Sequence, residues 1–363
     1  MRIEDLDTPA VLIDLDVMER NLVRAAQYAR EHGLRLRPHI KTHKIVELAR
    51  RQLELGASGI TCAKTTEALA MLACEPPELL IAYPVVGGPK IARLLELAKY
   101  TAVTLALDSV DAARPIAEAA RAAGVEIGVL AEMDVGLRRV GVPPGEPLVE
   151  LVRELLKLDG LRWRGIAFYP GHIKTLDEAG RAQLGSLREA LWSTVSLLAA
   201  RGLKPEIVSG GSTPLLWESH TLPELNEIRP GTYVFNDRNT VLSGACTPDD
   251  CAATVLVTVV STGPDRIIVD GGSKTFSSDR LASSAELTFG EVVGHPRLRF
   301  HRMNEEHGFI GRNGDAAAIR VGDRLRIVPN HICVVMNLHE RVYGVRGSEV
   351  AAEWRVAARG KLQ

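Results

Sequence analysis

Residues 14–235 repeat one pattern, in which a short apolar run is followed by a loop and then by an amphipathic stretch rich in Ala, Leu, Arg and Glu. The amphipathic stretches carry apolar residues at helical spacing. Eight such alternations predict a closed (β/α)8 barrel of the TIM type rather than an open doubly wound sheet. The predicted strands are 36–40, 59–63, 79–83, 103–108, 126–133, 161–169, 206–209 and 227–229.

The pattern of apolar runs and turn residues changes after residue 236. Short and often β-branched runs are separated there by Gly, Pro and Asp, which predicts an antiparallel β domain. Residues 8–14 also read as a strand, and we expect them to join that domain because they precede the first helix. The predicted fold class is therefore α/β plus β, with a barrel at 14–238 and a β domain at 239–363 together with 1–13. The strands predicted for the β domain are 251–261, 266–270, 287–293, 298–301, 325–327 and 333–337.

Charge and composition exclude several classes of partner. The 44 basic and 45 acidic residues balance, so nothing indicates nucleic acid or an anionic membrane as a partner. The acidic N-terminus lacks the apolar region of a signal peptide, and no uninterrupted apolar run reaches the roughly 20 residues that span a bilayer. Five scattered cysteines are too few for a disulfide framework in a chain of this length. We therefore expect a cytoplasmic protein with free thiols that acts on a small molecule.

One lysine lies at the carboxyl end of a predicted strand, where barrels of this kind place their chemistry. Lys41 belongs to the basic segment 37–44 and could form a Schiff base with an aldehyde cofactor. The glycine-rich segment 209–213 follows the seventh predicted strand, and Gly231 and Thr232 follow the eighth. Backbone amides at these two places commonly bind phosphate. A strand-end lysine together with a phosphate loop indicates pyridoxal phosphate.

A second group of candidate ligands lies in the predicted β domain. His331 and Cys333 would point to the same face of a strand, because strand side chains alternate with period two. Imidazole and thiolate are a zinc-type pair, although two ligands alone make a partial site that water or substrate must complete. The nearby segment 305–307 could add a carboxylate or imidazole ligand, and a solvated loop is equally compatible with its sequence.

These motifs together resemble those of the fold-type III pyridoxal-phosphate enzymes related to alanine racemase. Within that group the chain is most similar to the D-threonine aldolase and D-serine dehydratase branch. The resemblance extends over nearly the whole chain. It rests on the segments 7–10, 37–44, 133–141, 169–172, 209–214, 229–233 and 329–333.

The resemblance implies roles for four side chains that bind the cofactor ring. Lys41 is the Schiff-base lysine, and Lys44 is expected to be a solvated neighbour. Arg139 corresponds to the arginine on the side of the phenolic oxygen, and Tyr169 packs on or bonds to the pyridine ring. Arg229 corresponds to the arginine that faces the pyridine nitrogen, where it would keep that nitrogen unprotonated and make the ring a weaker electron sink.

The resemblance also implies the remaining binding groups. The phosphate cradle comprises Gly211, Ser212, Thr213, Gly231 and Thr232. His331 and Cys333 correspond to the metal pair, for which D-serine dehydratases use His-x-Cys, whereas the better-known D-threonine aldolases have Asp in place of Cys. The cysteine favours zinc over manganese as the divalent metal.

Two reactions on 3-hydroxy-D-amino acids are compatible with this set of residues. In a retro-aldol cleavage His172 would take the hydroxyl proton, and the products would be glycine and an aldehyde. In a dehydration Lys41 would remove the α-proton, and the products would be a 2-oxo acid and ammonia. We rank the aldolase first. An amino-acid racemase would not use His331 and Cys333, and a non-catalytic carrier of the cofactor would not need the β domain. The resemblance further implies a homodimer.

Overall fold

The computed structural model describes residues 1–282, 287–312 and 319–363. The chain divides into two compact units. We call Ala25–Lys41, Val46–Gly231 and Lys361–Gln363 the barrel unit, and Met1–Arg24, Thr42–Ile45 and Thr232–Gly360 the β unit. Within the described residues, no helix has both the length and the apolar character needed to cross a bilayer.

Strands and helices alternate in the first part of the chain, and strands predominate after residue 250. The strands are β1 (Ala10–Asp14), β2 (Arg35–Leu36), β3 (Ile60–Cys62), β4 (Glu78–Ile81), β5 (Ala102–Leu107), β6 (Ile127–Met133), β7 (Leu161–Phe168), β8 (Ile207–Gly210), β9 (Glu227–Ile228), β10 (Ala253–Thr262), β11 (Arg266–Val269), β12 (Gly290–Val292), β13 (Arg299–Met303), β14 (Gly308–Gly311), β15 (Arg324–Pro329), β16 (Arg341–Arg346) and β17 (Glu349–Arg355). The α-helices are α1 (Leu15–Glu31), α2 (Val46–Glu54), α3 (Thr65–Met71), α4 (Gly88–Leu97), α5 (Val110–Ala123), α6 (Glu146–Leu155), α7 (Glu178–Ala200), α8 (Arg238–Leu242), α9 (Ser273–Phe276) and α10 (Ile332–Leu338).

The barrel unit contains a parallel sheet in the strand order β2-β9-β8-β7-β6-β5-β4-β3. The sheet closes because His39, just after β2, forms a parallel bridge with Thr61 of β3. The Thr61 amide donates to the Pro38 carbonyl at 2.9 Å across the same junction. The predicted (β/α)8 barrel is therefore confirmed. The first predicted strand is shorter than expected, since Ile40–Thr42 already forms a 3-10 helix.

The interior of the barrel combines a small apolar layer with buried charges. Side chains from five successive strands form the apolar layer, namely Leu80, Ala106, Leu130, Ala167 and Ile207. Arg164 of β7 reaches Glu78 of β4 at 3.2 Å. Because β5 and β6 lie between these strands in the sheet, this ion pair crosses the interior. A bulge in β7 leaves Arg164 without a partner on β6, and bulges of this kind redirect a side chain.

The β unit is built around a ring of antiparallel strands. The order β11-β14-β13-β12-β15-β10 closes because β11 also pairs with β10. Strand β1 extends this sheet, with Leu12 opposite Thr254 of β10. The predicted antiparallel β domain is confirmed, and β1 lies in its sheet between β10 and β16. One pairing departs from the antiparallel pattern, because β1 and β16 run parallel.

The main error of the sequence prediction concerns residues 333–337, which were expected to be a strand and lie in helix α10. Strands β14, β16 and β17 were not predicted. Residues 232–238 had been placed in the barrel, yet their side chains make contacts within the β unit. Asn236 Nδ2 donates to the Asp250 carbonyl at 3.1 Å, and Asp237 accepts the amide of Ile332.

Gly165 lies beside the bulge in β7, at a position where a side chain should destabilise the barrel unit. Its φ of +150° is rarely adopted by residues with a side chain, and a Cβ atom there would lie 1.9 Å from the Ile207 carbonyl oxygen. We expect Gly165→Ala to lower the free energy of unfolding by at least about 1–3 kcal/mol from backbone strain alone. Urea unfolding measures this change. Gly185→Ala is the control, because its Cβ would meet nothing within 4 Å and alanine favours the helix. Equal stability of the two variants would contradict the prediction.

Candidate active site

Two of the predicted residues, Lys41 and Arg139, lie beside the ring of a third, Tyr169, in the barrel unit. Tyr169 directly follows β7, whereas Lys41 lies in the 3-10 helix after β2. The Lys41 Nζ atom is 5.9 Å from the centroid of the Tyr169 ring, and the guanidinium carbon of Arg139 is 5.0 Å from it. A side chain at Gly171 would collide with the same ring. The exposed amine of Lys41 therefore lies beside an aromatic face and a second cation.

The predicted phosphate cradle is formed by the segments after β8 and β9. Gly211 has a φ of +88°, which favours glycine. The Ser212 hydroxyl is buried and has no hydrogen-bond partner among the described residues. The Gly231 amide makes a 3.3 Å bond to Thr213 Oγ1. Burying an unpaired hydroxyl costs free energy that a phosphate oxygen would recover, so these residues fit the phosphate of pyridoxal phosphate. The fifth predicted member, Thr232, lies in the β unit, with its hydroxyl 3.6 Å from Cys333 Sγ.

Arg229 is buried in the barrel unit. Its Nη1 donates to Ser209 Oγ at 2.6 Å, and its Nη2 donates to the Phe168 carbonyl at 3.0 Å. Burial lowers the pKa of Arg229, and the negative charges of Glu132 and Glu227 counteract this effect. A guanidinium group remains charged in proteins, so Arg229 presents a fixed cation. The structure thus gives Arg229 the rigidity that its predicted role at the pyridine nitrogen requires.

A buried carboxyl group lies in the field of two predicted cofactor-binding arginines. Glu132 belongs to the carboxyl-terminal part of β6. Burial raises the pKa of Glu132, the attraction of Arg229 and Arg139 opposes that rise, and repulsion by Asp108 adds to it. The net effect is a pKa above the usual value. The sequence patterns described above assign no role to Glu132.

His172 lies after Tyr169-Pro170-Gly171 and packs against the loop that follows β6. A Cβ atom at Gly136 would lie 3.1 Å from His172 Nε2, so glycine at that position makes room for the imidazole. The Nδ1 atom of His172 is buried and has no hydrogen-bond partner within the described part of the chain. An unsatisfied imidazole nitrogen can accept or donate a proton when a ligand arrives, which the predicted role as a base requires.

His331 and Cys333 are adjacent, but the predicted reason for their adjacency is wrong. They do not share a strand: His331 is the extended residue before α10, and Cys333 lies in the first turn of that helix. The two side chains hydrogen-bond each other across this transition. The Cys333 Sγ atom also lies 3.2 Å from Thr42 Oγ1, and Thr42 directly follows Lys41 in the chain.

The two side chains stabilise each other as an ion pair. The attraction of Cys333 raises the pKa of His331 to about 11, against the opposing effect of burial, and the hydrogen bond to Asp237 adds to the rise. Burial raises the pKa of Cys333, but the attraction and hydrogen bond of His331 outweigh it, so the net pKa is lowered. A thiolate is the form that binds soft metals. The donor set therefore fits a divalent metal of the zinc type.

Asp237 holds His331 in place and was not predicted. Its Oδ2 atom lies 3.1 Å from His331 Nδ1 and accepts the Ile332 amide at 3.1 Å. Its Oδ1 atom accepts the Thr240 amide at 2.9 Å and so caps α8. Metal-binding histidines commonly bond a carboxylate through the ring nitrogen that does not bind the metal. This arrangement leaves His331 Nε2 as the nitrogen for the metal. The local sequence indicates only a helix cap at Asp237.

The other candidate ligands do not join this pair. No cluster of three or more His, Cys, Asp or Glu side chains suited to a metal occurs among the residues that the structure describes. Residues 305–307 are exposed, and Glu306 pairs with Lys274 at 2.6 Å. Lys44 was expected to be solvated, but it is buried, with Nζ 2.8 Å from Asn337 Oδ1. A metal held by His331 and Cys333 would therefore need further ligands from water or substrate.

Comparison with known proteins gives two matches to protein families and several full-length relatives. The alanine racemase N-terminal domain model matches residues 13–239, and the putative serine dehydratase domain model matches residues 252–345. D-threonine aldolase from Arthrobacter sp is 34% identical over 98% of this chain and 93% of the relative. D-threo-3-hydroxyaspartate dehydratase from Delftia sp. (strain HT23) is 34% identical over 99% of this chain and 96% of the relative.

Solved structures agree with these sequence matches. The crystal structure of D-threonine aldolase from Filomicrobium marinum has a TM-score of 0.93 at 32% identity and covers 100% of this chain and 98% of its own. A cysteine-to-alanine variant of D-threo-3-hydroxyaspartate dehydratase, described as being in the metal-free form, has a TM-score of 0.89 at 32% identity and covers 98% of both chains. The likeness therefore extends over both units.

The contacts of Asp237 lead to a prediction about metal affinity. We expect Asp237→Asn to weaken zinc binding by about 10–100-fold, because the amide loses the charge that orients and polarises His331. Competition with a chromophoric chelator measures the dissociation constant. Asp250→Asn is the matched control, since the Asp250 carboxylate accepts from the amide and hydroxyl of Thr247 rather than bonding the imidazole. Equal zinc affinities of the two variants would show that Asp237 does not support the metal site.

Proposed function

This chain belongs to the family of the alanine racemase N-terminal domain, joined to a serine dehydratase domain, and we propose on that premise that it is a lyase of 3-hydroxy-D-amino acids. It uses pyridoxal phosphate and a divalent metal. The reaction that we rank first is retro-aldol cleavage to glycine and an aldehyde, as in the D-threonine aldolase relatives. The observation that carries the proposal is the convergence of Lys41, Tyr169 and Arg139 in a barrel unit that also holds an unsatisfied Ser212 hydroxyl.

Pyridoxal phosphate, when bound, supplies an electron sink for the negative charge that develops at the substrate's α-carbon. Lys41 would hold it covalently, Tyr169 and Arg139 would contact the ring, and the unpaired Ser212 hydroxyl would hold its phosphate. The exposed amine of Lys41 is also placed to hold or transfer a proton at the α-carbon. Arg229 would keep its charge directed at the ring nitrogen.

A divalent metal at His331 and Cys333 supplies a Lewis acid for the 3-hydroxyl group of the substrate. We propose zinc, because an imidazole and a thiolate are ligands that zinc prefers over manganese. Asp237 would fix the orientation of His331 through Nδ1. Only two protein ligands are assigned, so this site keeps positions for the substrate.

His172 favours the aldol reaction. Cleavage of the bond between the α- and β-carbons requires a base that takes the hydroxyl proton, and the buried Nδ1 of His172 has no partner among the described residues. We assign that role to His172. The glycine at position 136 gives the imidazole its space.

Dehydration is the second candidate, and Cys333 is the observation that favours it. One structure of the dehydratase relative is a cysteine-to-alanine variant in the metal-free form, and the resemblance implies a His-x-Cys pair for D-serine dehydratases. In this reaction Lys41 would remove the α-proton and hydroxide would leave the β-carbon. The products would be a 2-oxo acid and ammonia.

A product assay separates the two reactions. The purified protein is supplied with pyridoxal phosphate and with zinc or manganese in parallel, and is incubated with D-threonine, D-serine or D-threo-3-hydroxyaspartate. Glycine plus an aldehyde or an oxo acid would establish the aldolase. Ammonia plus a 2-oxo acid without glycine would establish the dehydratase. Inversion of the substrate without either product would identify a racemase and refute the proposal.

Lys41→Ala is expected to abolish turnover and the visible absorbance of the bound cofactor, because the variant lacks the amine that forms the covalent link. The control is Lys204→Ala, an exposed lysine that precedes β8 at the opposite end of the barrel strands. Absorbance spectra and product assays measure both properties. Turnover by the Lys41 variant at the wild-type rate would remove the central assignment.

Cys333→Ala, or treatment with a chelator, is expected to leave the visible absorbance of the bound cofactor unchanged and to suppress turnover. The thiolate belongs to the metal site, whereas the cofactor is assigned to residues of the barrel unit. Added zinc should restore the chelated wild-type protein and should not restore the variant. Full activity after exhaustive chelation would refute the role of the metal.

The homodimer and the cytoplasmic location stay predictions.

A further inference from the structure

Arg229 is one end of a hydrogen-bonded chain inside the barrel unit. Arg229 Nη1 donates to Ser209 Oγ at 2.6 Å, and Ser209 Oγ donates to Glu227 Oε1 at 2.7 Å. Arg37 Nε donates to the other carboxylate oxygen of Glu227 at 2.9 Å. We call these four residues the buried charge chain. It joins two arginines through a carboxylate and a hydroxyl group.

Every member of the buried charge chain is shielded from solvent. Arg37 is 1% exposed, Arg229 is 7% exposed, and Ser209 and Glu227 are fully buried. Barrel interiors are usually filled with branched apolar side chains, and each buried ion carries a desolvation cost that its partners must offset. An apolar interior would meet the needs of the fold. The cost of these charges therefore indicates a functional reason for the chain.

Further ion pairs connect the buried charge chain to the other end of the barrel. Arg37 pairs with Glu78, Glu78 with Arg164 at 3.2 Å, and Arg164 with Glu206 at 2.7 Å. Positive and negative groups alternate along this path. Arg37 and Arg164 thus each lie between two carboxylates, and Glu206, about half exposed, ends the path at the solvent.

The Ser209 hydroxyl bridges Arg229 and Glu227, so the guanidinium and carboxylate groups are not in direct contact. A carboxylate in direct contact with a guanidinium group would commonly take two of its N–H donors. Here the Ser209 hydroxyl stands between the two, accepting one N–H from Arg229, and the Phe168 carbonyl accepts another. These two bonds use two of the five N–H donors of the guanidinium group. The guanidinium is therefore oriented and compensated while donors remain for a ligand.

The charges around Arg229 also indicate that Glu227 stabilises its guanidinium group. Burial lowers the pKa of Arg229, and Arg37 adds to the lowering by repulsion. Glu227 and Glu132 oppose both effects. Removing the charge of Glu227 would leave two buried arginines with one fewer anion, so the guanidinium of Arg229 would be displaced from its present position.

We propose that Ser209 and Glu227 are positioning residues that hold the charged Arg229 guanidinium toward the ring nitrogen of pyridoxal phosphate and so keep that nitrogen unprotonated. The inference rests on the proposed function, since it presupposes the cofactor. It deepens that function by assigning control of the electron sink to residues that do not touch the cofactor. A weak electron sink limits the carbanion chemistry to the reaction that the protein groups assist.

The test compares Glu227→Gln, which keeps the shape and removes the charge, with Ser209→Ala, which removes the hydroxyl group. Each substrate-free variant is loaded with nitrogen-15-labelled pyridoxal phosphate, and the chemical shift of the ring nitrogen is followed against pH. We expect protonation of the ring nitrogen to become detectable in both variants. Loss of a hydrogen bond to a charged group also predicts a cofactor dissociation constant raised about tenfold or more.

Glu206→Gln is the matched control. It makes the same chemical change at the solvent end of the same ion path, and we expect the wild-type nitrogen shift with a dissociation constant within about twofold. Thermal unfolding of each protein without cofactor reports structural damage separately. If Glu227→Gln does not fold, Ser209→Ala decides, because it changes no charge.

The outcomes separate this inference from the proposed function. A wild-type protein that does not bind pyridoxal phosphate refutes the proposed function, and the inference falls with it. A wild-type protein that binds the cofactor with a protonated ring nitrogen refutes the inference alone. The same follows if both variants keep the wild-type nitrogen shift and affinity. A shift that changes equally in Glu206→Gln would show a general effect of stability and would also overturn the inference.

Discussion

The backbone bridge between His39 and Thr61 is the interaction on which the barrel unit depends. It converts an open row of parallel strands into a closed ring, so that all strand ends meet at one rim. Residues as distant in sequence as Lys41, Tyr169 and Ser212 can therefore share one site. The bridge forms just before Lys41, so the segment that closes the sheet also sets the position of the reactive amine. A change that opened the sheet at this bridge would therefore also displace Lys41.

Much of the architecture could be predicted from the sequence. Parallel strands of a barrel are buried on both faces, so they appear as short apolar runs between amphipathic helices. That pattern predicted β3 to β9 within a few residues, and the change of texture after residue 236 predicted the β unit. The rule that strand ends carry the chemistry led to Lys41 and Tyr169, which lie together in the structure. Their catalytic roles stay predictions.

What the sequence did not reveal depends on contacts between distant residues. Helix α10 begins with Ile-Cys-Val-Val, which local propensity reads as a strand. Its first amide is capped by Asp237, far away in the sequence, so no local signal marks the helix start. The link from Arg229 through Ser209 to Glu227 is equally invisible, because a serine in a strand ordinarily indicates nothing about a distant arginine. Buried polar partners can be found only once the fold brings them together.

The shared use of Asp237 has a consequence for the dynamics of the β unit. One carboxylate caps α8 through Thr240, caps α10 through Ile332 and orients the imidazole of His331. A ligand that binds the folded form stabilises whatever its site is built from. A metal at His331 would therefore link its own binding to the fraying of these two short helices. The amide protons of Thr240 and Ile332, which both bond Asp237, would then exchange with solvent more slowly when such a metal is bound.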